Sequence, residues 1–134
     1  MKNDLINKGT NNYPSIIKGA ILHILVTAVF VFLFALVMYF TESGYDYATL
    51  FATISVAAGT LASAFYIGRK IGSKGLLLGA ATGGITFALV TLVSLIVDKG
   101  GITSNTLFHF IIILLSGLIG GVLGVNRTQN KKYI

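Results

Sequence analysis

The chain has 134 residues, the size of one domain, and a formal net charge of +6. Hydrophobic residues make up 54% of it and charged residues only 10%, whereas an ordinary soluble domain has about 25% charged residues. A soluble globule of this size could not bury so much apolar surface, because its surface-to-volume ratio is too high. There is no cysteine, which excludes disulfides, thiolate chemistry and cysteine-based metal sites. Lipid is therefore the expected solvent.

Four apolar stretches follow one another along the chain, at residues 16–40, 47–67, 75–97 and 107–125. Each is long enough to cross the hydrocarbon core of a bilayer, which takes about 20 helical residues. Pro14 precedes the first stretch, where the first turn of a helix tolerates its missing N–H. Short connectors make antiparallel neighbours the simplest arrangement. The pattern predicts an all-α polytopic membrane protein, an antiparallel bundle of four transmembrane helices within residues 16–125.

The basic residues predict the orientation of this bundle. Nine of the ten Lys and Arg residues fall on one side if the chain crosses four times: Lys2, Lys8, Lys18, Arg69, Lys70, Lys74, Arg127, Lys131 and Lys132. Lys99 is alone on the other side with the acidic residues Glu42, Asp46 and Asp98. Such a bias places the N-terminal segment 1–15, the second connector and the basic tail 126–134 in the cytoplasm of a multi-pass cell-membrane protein. It also argues against nucleic acid as the partner of the positive charge.

Glycines concentrate in the last three stretches, although each costs about 1 kcal/mol relative to alanine inside a helix. In membranes, small residues let helix backbones approach closely, and this contact replaces the missing hydrophobic drive. Spacings of four predict packing stripes, formed by Gly59, Gly75, Gly79, Gly83, Gly117, Gly120, Gly121 and Gly124. We expect a tight core of the second to fourth helices, with the first helix more exposed to lipid. Packing within the chain is the first interpretation, and mating with another protein or a second copy is the alternative.

Two segments resemble each other at a distance along the chain. KGAIL at residues 18–22 is similar to KGLLL at 74–78, and AGTLASAFYIGR at 58–69 lines up with SGLIGGVLGVNR at 116–127. Duplication of one helical hairpin and chance similarity between apolar segments are both open explanations.

Candidate site residues are few. No Asp or Glu lies within a predicted span, which counts against a carboxylate-based proton-coupled transporter. His23 and Thr27, one turn apart, could line a polar notch, for which an interhelical hydrogen bond is favoured over a proton relay. His109 belongs to the opposite leaflet, so the two histidines are too far apart to share a metal ion. Neither a catalytic constellation nor a cofactor site is predicted.

The second connector, GRKIGSK at residues 68–74, superficially resembles a phosphate-binding loop. Its spacing does not match that motif, and no strand precedes it. Arg69, Lys70 and Lys74 are instead expected to set the topology and to contact anionic lipid headgroups.

Four motifs together resemble a small family of uncharacterised four-helix membrane proteins from clostridia, bacilli and their relatives. These are the opening IIKG at residues 16–19, GRK at 68–70, GSKGLLLGAATGG at 72–84 and the terminal SGLIGGVLGVN at 116–126. The resemblance implies a four-span membrane protein of unknown activity, often encoded near accessory subunits of the Sec translocase. It offers no catalytic residues.

Two functional hypotheses follow. The first is a non-enzymatic helical bundle that acts in the lipid bilayer through self-association or as an accessory subunit of a larger membrane complex, with a Sec-related complex as the candidate that the resemblance suggests. The alternative is a small oligomeric transporter, channel or lipid-handling protein. An enzyme is not expected, because paired acids, a Ser/His pairing or a metal cluster at workable depth would be needed.

Overall fold

The computed structural model describes residues 13–42, 47–98 and 104–132. They form four α-helices: α1 (Tyr13–Thr41), α2 (Ala48–Ile71), α3 (Gly75–Asp98) and α4 (Ser104–Lys132). Each contains a segment long and apolar enough to cross a membrane, namely Pro14–Thr41, Ala48–Ile71, Gly75–Val97 and Ser104–Asn130. The all-α prediction with four such helices is confirmed. Most of the predicted N-terminal segment 1–15 lies outside the described residues.

Two helices extend beyond the apolar stretches that predict them. Residues 68–71 of the second connector form the last turn of α2, and α4 continues through residues 126–132 of the predicted tail. Arg69 and Lys70 suit that last turn, because cations are stabilised by the negative end of a helix dipole. Gly72 ends α2 in the left-handed region (φ 71°), and its N–H donates to the Gly68 carbonyl oxygen at 2.9 Å.

The core of the fold is the contact of α4 with both α2 and α3, while α1 packs mainly against α2. Along α3 and α4 the partners are Gly75 with Gly121, Gly79 with Gly117 and Gly83 with Leu114. A Cβ atom added to Gly75 would lie 2.5 Å from the Gly121 carbonyl oxygen. The two backbones therefore touch directly, as small residues allow between membrane helices.

The distribution of side chains is the inverse of a soluble core. Among the described residues the buried apolar side chains are Ala64, Ile67 and Ile113, whereas large aliphatic and aromatic side chains are exposed along every helix. Ser55 and Thr60 are fully buried, and their hydroxyls donate to the carbonyls of Phe51 and Val56 one turn earlier, both at 2.8 Å. Such a surface requires an apolar solvent.

The helix α1 is the least buried of the four. No residue within its most apolar 18-residue stretch is buried. Its contact with α2 includes Gly19 against Ile67 near one end and, towards the other, a stacked pair of Phe34 and Phe51 with ring centroids 4.7 Å apart. An edge-to-face ring pair of Phe87 and Phe110, with centroids 4.6 Å apart, joins α3 to α4.

Two alanine substitutions on α3 should separate packing from helix propensity. A Cβ on Gly79 would collide with the backbone of Gly117, so G79A should lower the free energy of unfolding by about 1–3 kcal/mol. Gly84 has nothing within 4 Å of an added Cβ, so G84A should leave stability unchanged or raise it by up to about 1 kcal/mol. Unfolding followed by circular dichroism in detergent measures both. Equal destabilisation by the two variants would contradict the α3–α4 packing.

Candidate functional site

The predicted glycine stripes contact more than one helix. On α4, Gly120 and Gly124 face α2, where an added Cβ would strike the carbonyl oxygens of Leu61 and Phe65 respectively. Gly117 and Gly121, the other stripe of α4, face α3. The helix α4 is thus held between α2 and α3 by two adjacent faces.

The helix that Gly59 contacts differs from the expectation that this residue packs in the core of the second to fourth helices. Gly59 faces α1, and an added Cβ would collide with Thr27 Oγ1 and lie 3.0 Å from the His23 carbonyl oxygen and 3.1 Å from His23 Nδ1. Ser55, Gly59 and Ser63 are four residues apart, which places them on one face of α2. This spacing does not indicate which helix covers that face. The structure brings Gly59, His23 and Thr27 together, and we call these three residues the polar notch.

Two atoms of the polar notch lack hydrogen-bond partners. His23 Nδ1 and Thr27 Oγ1 are buried and unpaired. A hydroxyl can donate and a neutral imidazole nitrogen can accept, so the two atoms are chemically complementary. Leaving such groups unpaired costs about 1–3 kcal/mol each. The polar notch therefore contains one acceptor and one donor whose hydrogen bonds are not formed.

His23 also lines a groove of about 160 Å³ between α1, α2 and α3. Its polar lining consists of His23, Ser63, Thr82 and Thr86, set among aliphatic side chains. Ser63 and Thr86 are buried, and the Thr82 hydroxyl donates to the Leu78 carbonyl at 2.8 Å. We call this cleft the α1–α2–α3 groove.

The basic residues predicted to meet lipid headgroups lie at one end of the bundle. Arg69 and Lys70 are exposed in the last turn of α2, and exposed Lys74 directly precedes α3 with φ 52°. Neither Lys70 nor Lys74 lines the α1–α2–α3 groove. The Lys70 Nζ atom instead lies over the ring of Tyr66 on the same helix, 6.0 Å from its centroid.

The end of α2 is tied to the extension of α4. The Thr128 hydroxyl donates to the Arg69 carbonyl oxygen at 2.7 Å, which satisfies one of the carbonyls left free at a helix C-terminus. The helix α4 does not end at Asn126, where the apolar stretch ends, but continues to Lys132. Because α4 continues as a helix beyond residue 126, Thr128 lies opposite Arg69.

A second polar contact, between Thr53 of α2 and His109 of α4, was missed from the sequence. Thr53 Oγ1 and His109 Nε2 are 3.3 Å apart, beside a crevice that Thr49 and Asn105 also line. The Thr53 hydroxyl donates to the Thr49 carbonyl at 2.8 Å, so it accepts from His109, and Nε2 carries the proton. The signal was two polar pairs at spacing four, Thr49 with Thr53 and Asn105 with His109.

These two clefts could bind a ligand through hydrogen bonds, because each has polar side chains among apolar ones. Across residues 13–42, 47–98 and 104–132 there is no group of three or more His, Cys, Asp or Glu side chains placed to hold a metal ion. His23 and His109 contact different helices and sit in separate clefts.

Four helices of this length and hydropathy indicate a multi-pass membrane protein. The family model described as Protein of unknown function (DUF3792) matches residues 12–124. The chain belongs to this family, which confirms the resemblance to a family of unknown function. Comparison with curated proteins and with solved structures gave no match.

A double-mutant cycle should measure the contact between α2 and α4. T53V and H109F each remove one partner, and their coupling energy should be about 0.6 kcal/mol, typical of hydrogen bonds between membrane helices. Unfolding of the four proteins in mild detergent gives this value, and T41V supplies a control because Thr41 bonds only within α1. Additive effects of T53V and H109F would exclude the hydrogen bond.

Proposed function

We propose that the protein is a non-enzymatic integral membrane protein that acts through association with a second copy or with a larger membrane complex. The observation that supports this most is Gly84 on α3. Of the glycines in the described ranges, Gly84 alone has no atom within 4 Å of an added Cβ. Internal packing accounts for the other helix glycines, but not for this one, although it carries the same propensity cost of about 1 kcal/mol.

The surroundings of Gly84 suit a helix from another molecule. Ala80 and Ala88 lie four residues to either side, which makes a stripe of small residues on α3. Thr82 and Thr86 lie two residues from Gly84, so at about 100° per residue the stripe lies away from the α1–α2–α3 groove. Association on this stripe leaves the groove open.

We further propose an antiparallel bundle with both termini in the cytoplasm of a bacterial cell. The register of α3 against α4 supports it, since residue numbers rise along one helix as they fall along the other. Lys70, Lys74 and Arg127 at one end contrast with Glu42 at the other, as the positive-inside rule requires. Two repeated hairpins are supported by equivalent contacts, since Gly59 lies against His23 and Thr27 as Gly117 lies against Gly79 and Gly83.

Cysteine labelling tests this orientation, because the chain has no cysteine of its own. In intact cells a membrane-impermeant maleimide should label E42C but not R127C, and permeabilisation should make R127C reactive. Labelling of R127C alone in intact cells would place the termini outside and overturn the proposed orientation.

Crosslinking tests association. A photo-crosslinking residue at Ala88 should give products with other molecules, whereas one at Leu118, beside the Gly79 contact, should give products within the chain. Products with Sec components would support the partner that the family resemblance suggests. Products with a second copy would support self-association, and the absence of intermolecular products at Ala88 would contradict the proposal.

Bulk at Gly84 should abolish association without unfolding the bundle. G84L places a large side chain in open space, so unfolding of the monomer should change little, while intermolecular crosslinking should fall at least tenfold. A28L adds comparable bulk at an exposed position of α1, away from the stripe, and is the matched control that should retain crosslinking. Undiminished crosslinking in G84L would remove this face from the interface.

A small oligomeric transporter, channel or lipid-handling protein is the second candidate. The mainly aliphatic lining of the α1–α2–α3 groove favours lipid handling among these three activities. Flux and lipid-movement assays in liposomes test it, and no permeation or lipid movement would remove this candidate.

A further inference from the structure

We propose that the α1–α2–α3 groove binds the ring of a neutral quinone dissolved in the membrane, whose carbonyl oxygens accept hydrogen bonds from Ser63 and Thr86. This site lies apart from the Gly84 stripe, and the proposal does not rest on association of the protein. Three properties of the groove carry it: two hydroxyls without partners, their depth in the bilayer, and the size and neutrality of the cavity.

Two buried hydroxyls that line the groove make no hydrogen bond. Ser55, Thr60, Ser63 and Thr86 are the buried polar side chains of the described residues. Ser55 and Thr60 donate to carbonyls of their own helix. Neither Ser63, 2% exposed, nor Thr86, 7% exposed, has a hydrogen-bond partner within the described ranges, and both line the groove. Because a buried polar group normally has a partner, these two donors indicate an acceptor that a ligand supplies.

Both hydroxyls lie deep in the hydrocarbon core. Thr86 is the central residue of the candidate span Gly75–Val97, and Ser63 lies within four residues of the middle of Ala48–Ile71. In a core about 30 Å thick, a central residue is about 15 Å from either surface. The headgroup and ester groups of a phospholipid stay at the surface, and water is absent at this depth. The acceptor therefore belongs to a molecule that dissolves in the hydrocarbon region.

The cavity has the volume of one ring and an uncharged lining. It measures about 160 Å³, and an apolar protein cavity of about 150 Å³ holds a benzene molecule. None of the described residues that line it is Lys, Arg, Asp or Glu, so a charged ligand would gain no counter-ion there. Ile24, Ile85 and Leu89 line the groove and are themselves exposed, which leaves a way out for a hydrocarbon tail attached to the ring.

A quinone supplies acceptors on two edges of one ring. Ser63 belongs to α2 and Thr86 to α3, so the two hydroxyls meet the cavity from different walls. A molecule with one oxygen, such as a fatty alcohol, satisfies only one of them. Carbonyl oxygens on opposite sides of an apolar ring satisfy both, while the faces of the ring pack on the aliphatic walls.

The experiment uses the full chain in phosphatidylcholine nanodiscs with a photoreactive azido-decylbenzoquinone. Label located by mass spectrometry should fall on groove residues of α1 and α3, such as Ile24 and Leu89, and should decrease at least tenfold with excess unlabelled decylbenzoquinone. Decylbenzene, which has the same ring size and tail without carbonyls, should compete at least fivefold less well. Label spread over the exposed apolar surface without saturation would overturn the site. Equal competition by decylbenzene would show a purely hydrocarbon cleft and would overturn the quinone.

Single hydroxyl deletions test the assigned contacts. S63A and T86V should each weaken competition by decylbenzoquinone about three- to tenfold, the value of one hydrogen bond. Each removes an unpaired group, so the unfolding midpoint should stay unchanged or rise. T91V makes the same change on α3 outside the groove and should leave competition unchanged. Equal effects of T86V and T91V would contradict the proposed hydrogen bonds.

A filled groove should exclude the ring. A20F places a bulky side chain from α1 into the cavity and should reduce saturable labelling at least fivefold. A28F, the same change at an exposed position of α1 that does not line the groove, should not. Equal losses in A20F and A28F would overturn the site. Intermolecular crosslinking at Ala88 should be unchanged in A20F, which distinguishes failure of the quinone site from failure of association.

Discussion

Direct backbone contact of α4 with its two neighbours is the constraint on which the fold depends. The carbonyl oxygens of Gly117 and Gly121 abut α3, while Gly120 and Gly124 abut carbonyls of α2. Lipid tails are as apolar as leucine, so large side chains gain nothing by turning inwards, and close van der Waals contact has to hold the helices together. Because α4 fixes both α2 and α3, it also fixes two of the three walls of the α1–α2–α3 groove.

Hydroxyl groups complete this arrangement without adding volume. Ser55, Thr60 and Thr82 donate to carbonyls of their own helices, so they can be buried beside glycines without requiring a partner on another helix. His23 Nδ1 and Thr27 Oγ1 differ from these hydroxyls, because they are buried without a hydrogen-bond partner. A buried polar group that its own helix leaves unsatisfied is more costly in lipid than in water, because no solvent molecule can replace the missing partner.

The number of helices and their approximate positions could be predicted from the sequence, because hydropathy and length alone determine whether a segment can span a bilayer. Which helices contact one another could not be predicted from the sequence. Spacing of four places Gly59 on a face of α2, but only the fold shows that α1 covers it. Thr53 and His109 are 56 residues apart, and their contact depends on the register between α2 and α4. The ends of α2 and α4 also extend further than hydropathy predicts, since polar residues can continue a helix into water.

Gly59 links helix packing to the chemistry of the groove. A larger residue there would press on Thr27 and on the backbone of His23, and so would push α1 away from α2. The same displacement would move His23 and Ala20 away from Ser63 and widen the groove that they line. The contact of Gly19 with Ile67 and the stacked pair of Phe34 and Phe51 are the other contacts described between α1 and α2 that would oppose this movement. The small residue at position 59 therefore sets both the attachment of α1 and the width of the α1–α2–α3 groove.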